Sequence, residues 1–219
     1  MPARRTTILA AALLGLLAAP ASAGVGTSPP ALGKPALASL GPAAAPEIAA
    51  RFDHALRATR VTARAPGACA ALDLPLAWTL DDTAAPARLE AAQGGPTIDM
   101  NLRAARALPP VPSLASRDGA LPADTDLPRR AAAALQREHE EALGRPAQSV
   151  ALTALDAGAW RFTATWLDPN LPAPVTHDTV LLPLSADWVL ELTLDGASSR
   201  DMHEMLLGEV MERTRVGGC

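Results

Sequence analysis

Tyrosine is missing from this 219-residue chain, and phenylalanine occurs only as Phe52 and Phe162. Four tryptophans complete the aromatic set. So few rings cannot build an exposed stacking platform for sugars or single-stranded nucleic acid. Cysteine occurs twice, as Cys69 and Cys219, and neither has a C-x-x-C neighbour. That spacing excludes a local redox motif and a compact zinc site. No two of the histidines His54, His139, His177 and His203 lie four apart, and there is no H-E-x-x-H. Their charged neighbours place each at the surface, with a metal site gathered from distant residues as the alternative. No G-x-S-x-G elbow exists. The nearest approach, Gly196-Ala197-Ser198-Ser199, is explained by helix capping. Asp81-Asp82 and Asp124-Thr125-Asp126 lack the further oxygens of a calcium loop, and turn chemistry accounts for them. Positive charge is also short: the formal net charge is −4. An acidic chain is poorly suited to neutralising phosphates, so a nucleic-acid binder is excluded.

What the chain does have begins with an address. Arg4 and Arg5 precede an apolar run from Ile8 to Ala19, then Pro20, then the small residues Ala21-Ser22-Ala23. This is the build of a secretory signal peptide over residues 1–23, with cleavage expected between Ala23 and Gly24. The run is too short for a permanent membrane anchor, and no later run replaces it. The expected product is periplasmic or secreted, with no stable membrane insertion after the signal is removed. Its charge falls to about −6, because two arginines leave and no acid does. In an oxidising compartment an even cysteine pair is usually bridged, so Cys69 and Cys219 are expected to form a disulfide. A reactive thiol or an intermolecular bridge is the alternative.

Residues 24–45 hold prolines among Ala, Gly and Ser with no apolar period, and read as a disordered lead-in. Residues 46–219 read as a single domain. Ile48, Phe52 and Leu56 recur every four residues and predict a helix over 46–60. Arg51, Arg57, Arg60 and Arg64 make its vicinity basic, as a solvated face or, alternatively, an anion-binding patch. Beyond it, period-2 alternation dominates. Leu72, Leu74, Leu76, Trp78 and Leu80 share one face of a first strand. Further strands follow at Ala87–Ala92, 97–103, Ser149–Leu155, 160–166, Thr176–Leu184 and 188–194. Short turns between most of them predict antiparallel pairing. A helix should run from Asp126, with Pro128 in its first turn, to Gly144. Another should start at Ser198 or Ser199, with Met202, Met205, Leu206 and Val210 as its apolar stripe. The Pro-rich loop Leu108–Leu127 is unusually long, which marks it as a binding loop or a disordered one. Trp78, Trp160, Trp166 and Trp188 fall on apolar strand faces and, with Phe162, are expected to form the centre of the core.

The order of these elements resembles the PsbP/Mog/DcrB-like group over about residues 72–216. The residues that carry the resemblance are the Leu-Pro-Leu-Ala-Trp phrase, Leu74 to Trp78, and the closing strand Val189-Leu190-Glu191-Leu192 running into a helix. The resemblance implies an antiparallel sheet flanked by helices and an accessory role: binding or stabilising a partner. The polar strand faces suggest that helices cover one sheet face more fully than the other. The expected fold is therefore α+β, a mainly antiparallel sheet of about seven strands flanked by two or three helices. The expected function is that of an exported, non-catalytic binding protein of the cell envelope. It would need no cofactor and act on an envelope protein partner. The alternatives are a small-ligand or lipid carrier, or a hydrolase or metalloenzyme with a dispersed site.

Overall fold

The computed structural model describes residues 45–109, 126–167, 170–171, 173–197, 199–217 and 219. Residues 1–44, where a signal peptide and a lead-in are expected, and most of the Leu108–Leu127 loop lie outside them.

The described residues open on a β-hairpin, β1 (Glu47–Asp53) and β2 (Ala58–Ala65). This corrects the helix expected over 46–60. Ile48 and Phe52 recur at four, but that spacing also fits a period of two, and the intervening Ala50 joins Ile48 against the core. Asp53 Oδ1 accepts the amides of Ala55 (2.8 Å) and Leu56 (3.1 Å) and so folds the chain back. Thr59, Val61 and Thr62 then favour a strand. A third strand, β3 (Ala68–Pro75), pairs with β2, and the last strand, β11 (Thr214–Val216), pairs with β3. The result is a four-stranded antiparallel sheet in the order β1-β2-β3-β11.

The second correction concerns Leu72 to Leu80. These residues do not lie on one strand. The chain leaves the small sheet at Pro75, Leu76 takes a left-handed conformation (φ 67°), and β4 (Trp78–Asp81) begins in a different sheet. The crossover is held by buried Thr59, whose hydroxyl donates to the Leu76 carbonyl and accepts from the Trp78 amide, both at 2.9 Å. Trp78 Nε1 donates back to the Pro75 carbonyl at 2.9 Å. The Leu-Pro-Leu-Ala-Trp phrase is thus a switch between sheets.

The large sheet comprises β4, β5 (Ala87–Ala91), β6 (Thr97–Ala104), β7 (Ser149–Ala154), β8 (Trp160–Trp166), β9 (Val175–Pro183) and β10 (Trp188–Asp195). Its order is β4-β5-β6-β10-β9-β8-β7, and every pairing is antiparallel. Among the described residues two α-helices complete the architecture, α1 (Asp126–Leu143) and α2 (Arg200–Glu212). The fold is α+β and dominated by sheet, as expected from the alternation.

The layers follow from which strand face each residue occupies. One face of the large sheet, with Ile98, Met100, Val180, Leu182, Leu190 and Leu192, packs on Val61, Leu72 and Leu74 of the small sheet and on Leu207 and Val210 of α2. The opposite face, with Phe162, Trp166, Leu181 and Val189, packs on Ala131, Ala134 and Leu135 of α1. The alanines of α1 let the helix backbone come close to the sheet. The expected tryptophan centre is therefore split. Phe162 and Trp166 are fully buried under α1, with Trp160 partly buried beside them. Trp78 lies on the other side of the sheet, and Trp188 is only half-buried. Leu206 of α2 packs against the core, whereas Met205 is 61% exposed and Met202 41%, so the stripe expected on that helix is narrower than the sequence suggests. Ser199 caps α2 by accepting the Met202 amide at 3.2 Å. Among the described residues, no helix is long and apolar enough to cross a membrane.

Candidate functional site

The basic run Arg51–Arg64 becomes one open face once it is folded as strands. Register places Arg51 opposite Arg60, Arg60 opposite Asp73, Arg64 opposite Cys69, and Arg215 opposite Ala71. All of these lie on the side of the small sheet away from the core. Small residues, Ala49, Thr62 and Ala71, separate them. A groove of about 560 Å³ runs across this face, lined by Ala49, Arg51, Arg60, Thr62, Asp73 and the hairpin turn with Leu56. Leu56 is 70% exposed at its rim. Arg60 grips Asp73 through both carboxylate oxygens (2.8 and 3.1 Å). That hydrogen-bonded pair holds the Asp73 carboxyl below the usual carboxylate range. Asp53 is occupied by its turn. Among the described residues Arg51, Arg64 and Arg215 make no ion pair, although register sets Glu47 opposite Arg64, so the face presents cations without a direct partner over a shallow floor of small residues.

The closing end of this sheet carries the disulfide. Cys69 and Cys219 are joined, with Cα atoms 6.2 Å apart. Gly217, at φ 82°, donates its amide to the Cys69 carbonyl at 2.8 Å, continuing the β3–β11 ladder up to the bridge. No free thiol remains.

The second polar region lies between α1 and the large sheet, and sequence reasoning missed it. Glu191 on β10 is 4% exposed. It accepts two bonds from the Arg103 guanidinium on β6 (2.7 and 3.0 Å) and one from Asn101 Nδ2 (2.9 Å). Arg103 also reaches Glu138 on α1. Burial pushes the Glu191 carboxyl up, and the Arg103 bonds oppose that shift. Deeper along the same face, His139 of α1 and His177 of β9 lie ring to ring, with centroids 3.8 Å apart. His139 Nδ1 donates to the Leu135 carbonyl at 2.7 Å, and its ring stacks on Trp166. His177 Nε2 shares a hydrogen bond with Thr179 Oγ1 (2.9 Å), which in turn meets Thr193 Oγ1 (2.7 Å). These two histidines are not the surface residues that their charged neighbours suggested. Alternation could have signalled His177, because it shares the face of Thr179 and Leu181.

Burial, followed by the charge of His139, lowers the His177 pKa from 6.5 to about 4. The unfolded chain therefore binds this proton at a higher pH than the folded one. Stability falls as pH drops from about 6.5 towards 4, by up to about 3 kcal/mol from this group. His177→Gln keeps a partner for Thr179 and removes the titration. Its melting temperature should therefore depend less on pH across that window than the parent's. An unchanged slope in a pH series of thermal melts would remove His177 as the cause.

The remaining histidines divide. His54 is exposed at the hairpin turn and meets Phe52 edge to face at 4.8 Å. His203 on α2 is largely covered and lies 3.4 Å from Asp178, which is also gripped by Arg161. Arg161 bonds Glu204 as well and holds that carboxyl below its usual range. This group ties α2 to β8 and β9. Among the described residues, no three His, Cys, Asp or Glu converge as metal ligands. The described ends of the Leu108–Leu127 loop are anchored. Leu108 is buried against α1, and Arg130 donates to the carbonyls of Ala105, Leu108 and Pro109 (2.6, 2.8 and 3.2 Å).

The class that emerges is an α+β protein with two stacked antiparallel sheets and a helix on the outer face of the larger one. No protein-family model matches the chain, and no curated protein matches it in sequence. Among solved structures it is similar to the solution structure of cyanobacterial PsbP (CyanoP) from Synechocystis sp. PCC 6803. Identity is 14%, over 83% of this chain and 99% of that one, with a TM-score of 0.42. The fold described above rests on strand order and the site on its own residues.

Proposed function

We propose that this chain is an exported, non-catalytic binding protein that holds an acidic segment of another cell-envelope protein on the outer face of its small sheet. The observation that carries this reading is the groove beside Arg51, whose guanidinium has no ion-pair partner, over a floor of Ala49 and Thr62 with exposed Leu56 at its rim; the carboxylates that line it, Asp53 and Asp73, are held by the turn and by Arg60, and Arg64 and Arg215 lie on the same sheet face outside the groove. Guanidinium groups without internal partners are suited to bidentate capture of carboxylates. An apolar rim adds contact area to that capture. Export belongs to the same proposal: residues 1–23 have the build of a signal peptide, cleavage falls between Ala23 and Gly24, and a bridged cysteine pair suits an oxidising compartment.

Affinity capture from envelope extract, with the parent and the double variant Arg51→Glu/Arg64→Glu side by side, tests the reading. Like charges facing each other across an interface cost several kcal/mol. The specific partner should therefore bind at least about tenfold more weakly to the variant, and raised salt should weaken the parent complex. Equal retention of every captured protein by the two forms would reject this face as the docking surface.

A further inference from the structure

Each sheet has two edges, and four strands occupy them: β1 and β11 in the small sheet, β4 and β7 in the large one. Exposed edges are usually protected by charge, by Pro or by a covering element. Three of these four carry charge. β1 contains Glu47, Arg51 and Asp53, β11 contains Arg215, and β4 ends in Asp81, with Asp82 next. β7 has none. Its sequence, Ser149-Val150-Ala151-Leu152-Thr153-Ala154, has no charge and no proline, and every residue but Leu152 is exposed. Val150 is 45% exposed. One end of the strand adjoins an apolar corner, where Leu143 and Leu167 are exposed. Arg145 donates to the carbonyls of Leu143 and Leu167, and the Gln148 amide donates to Thr165, so the corner and the strand are one surface.

We propose that β7 is a self-association edge, and that its occupant is the β7 of a second copy of this chain, paired antiparallel about a twofold axis normal to the sheet. Such an axis preserves the two faces of the sheet, so paired residues must have the same parity. Centred on Leu152, it sets Leu152 against its own image, Val150 against Ala154, and Ala151 against Thr153. Every facing pair is neutral, and the pairs on the α1 side are apolar. The same operation at the other edges would face like charges against each other: Arg215 near its image on β11, and Asp81 with Asp82 near theirs on β4. Like charges directly opposite destabilise a strand pair. A dimer pairs the free N–H and C=O groups of the edge and joins two seven-stranded sheets into one. It also leaves the arginine face of each small sheet open.

Sedimentation velocity on the signal-free chain over a hundred-fold concentration range reads the outcome. The parent should reach twice the monomer mass. Ala151→Lys should stay monomeric and melt as the parent does at monomeric dilution, and so should Ala151→Glu. Mixing these two variants should restore the dimer, because a register centred on residue 151 or 152 brings the two sites within contact or diagonal reach. Should Ala151→Lys melt early, Thr153→Lys on the same exposed strand replaces it. A parent that is monomeric throughout, or a dimer that both lysine variants leave intact, overturns the proposal. The first of those results also covers the case where β7 instead receives a strand from a different protein.

Discussion

Arg103→Met should cost about 3–5 kcal/mol of stability at neutral pH, because it leaves a buried carboxylate without its cation. Arg103 and Glu191 meet through two bonds across β6 and β10, and only the Glu138 end of the cluster is well exposed to water. Methionine matches the length of the arginine stem but carries no donor. Glu191 would keep only Asn101 as a partner, and its carboxyl would rise further above the ordinary range. Its folded pKa, already raised above the unfolded one by burial, would exceed it by more. The penalty therefore develops as pH rises through the unfolded value and on to the folded one. It is absent at lower pH, where both states are protonated. The gap in stability between variant and parent should narrow as pH falls from 7 to about 4. The double variant Arg103→Met/Glu191→Gln should recover most of the loss, because glutamine carries no charge and still accepts from Asn101. Urea denaturation of the parent and both variants at two pH values measures this directly. A single variant within about 1 kcal/mol of the parent at pH 7 would show that Glu191 is better solvated than its burial implies.

The large sheet was legible in the sequence because its strands alternate between two chemically distinct faces. The six strands expected from Ala87 to Leu194 all form, at nearly the expected bounds. The helix from Asp126 was legible for a different reason: Asp126 and Pro128 mark its start and Gly144 its end. The small sheet was not legible. Ile48, Phe52 and Leu56 satisfy a helical spacing by coincidence, and β11 is three residues long with no pattern of its own. The break at Leu76 was hidden because Leu72, Leu74, Leu76, Trp78 and Leu80 keep perfect alternation across a change of sheet. Only the backbone, in a left-handed conformation at Leu76, marks the change. The arginine face was hidden by the same misreading: Arg51, Arg60 and Arg64 stand out as basic residues, but strand register was needed to bring them together and to add Arg215 from β11. Glu191 and His177 were missed because a polar residue on an alternating strand looks like the wet face. Here that face is covered by α1.

The bridge between Cys69 and Cys219 carries the second large prediction, and it concerns that hidden sheet. The two residues are 150 apart in sequence, so the bond closes most of the folded chain into one loop. The chain-entropy model assigns a loop of that length up to about 5 kcal/mol, and removal of native bridges commonly costs about 2–5 kcal/mol. The double variant Cys69→Ser/Cys219→Ser should lower the melting temperature by roughly 10 °C, at about 2–4 °C per kcal/mol for a chain of this size. The loss should be local before it is global. β11 has only three residues, and outside the bridge it is held by its ladder to β3 and by the Thr214 hydroxyl donating to the Val210 carbonyl at 2.7 Å. Without the bond this ladder has few contacts to keep it closed, and fraying would release the C-terminal end of α2, whose Leu207 and Val210 cover the core between the sheets. Amide exchange should therefore speed up first in β11, then in β3 and the last turn of α2, while β6 and β10 stay protected. A uniform increase across the large sheet would instead mean that the bond stabilises the fold wholly through the unfolded chain. A melting temperature unchanged on removal would show that the ladder alone holds β11 to β3.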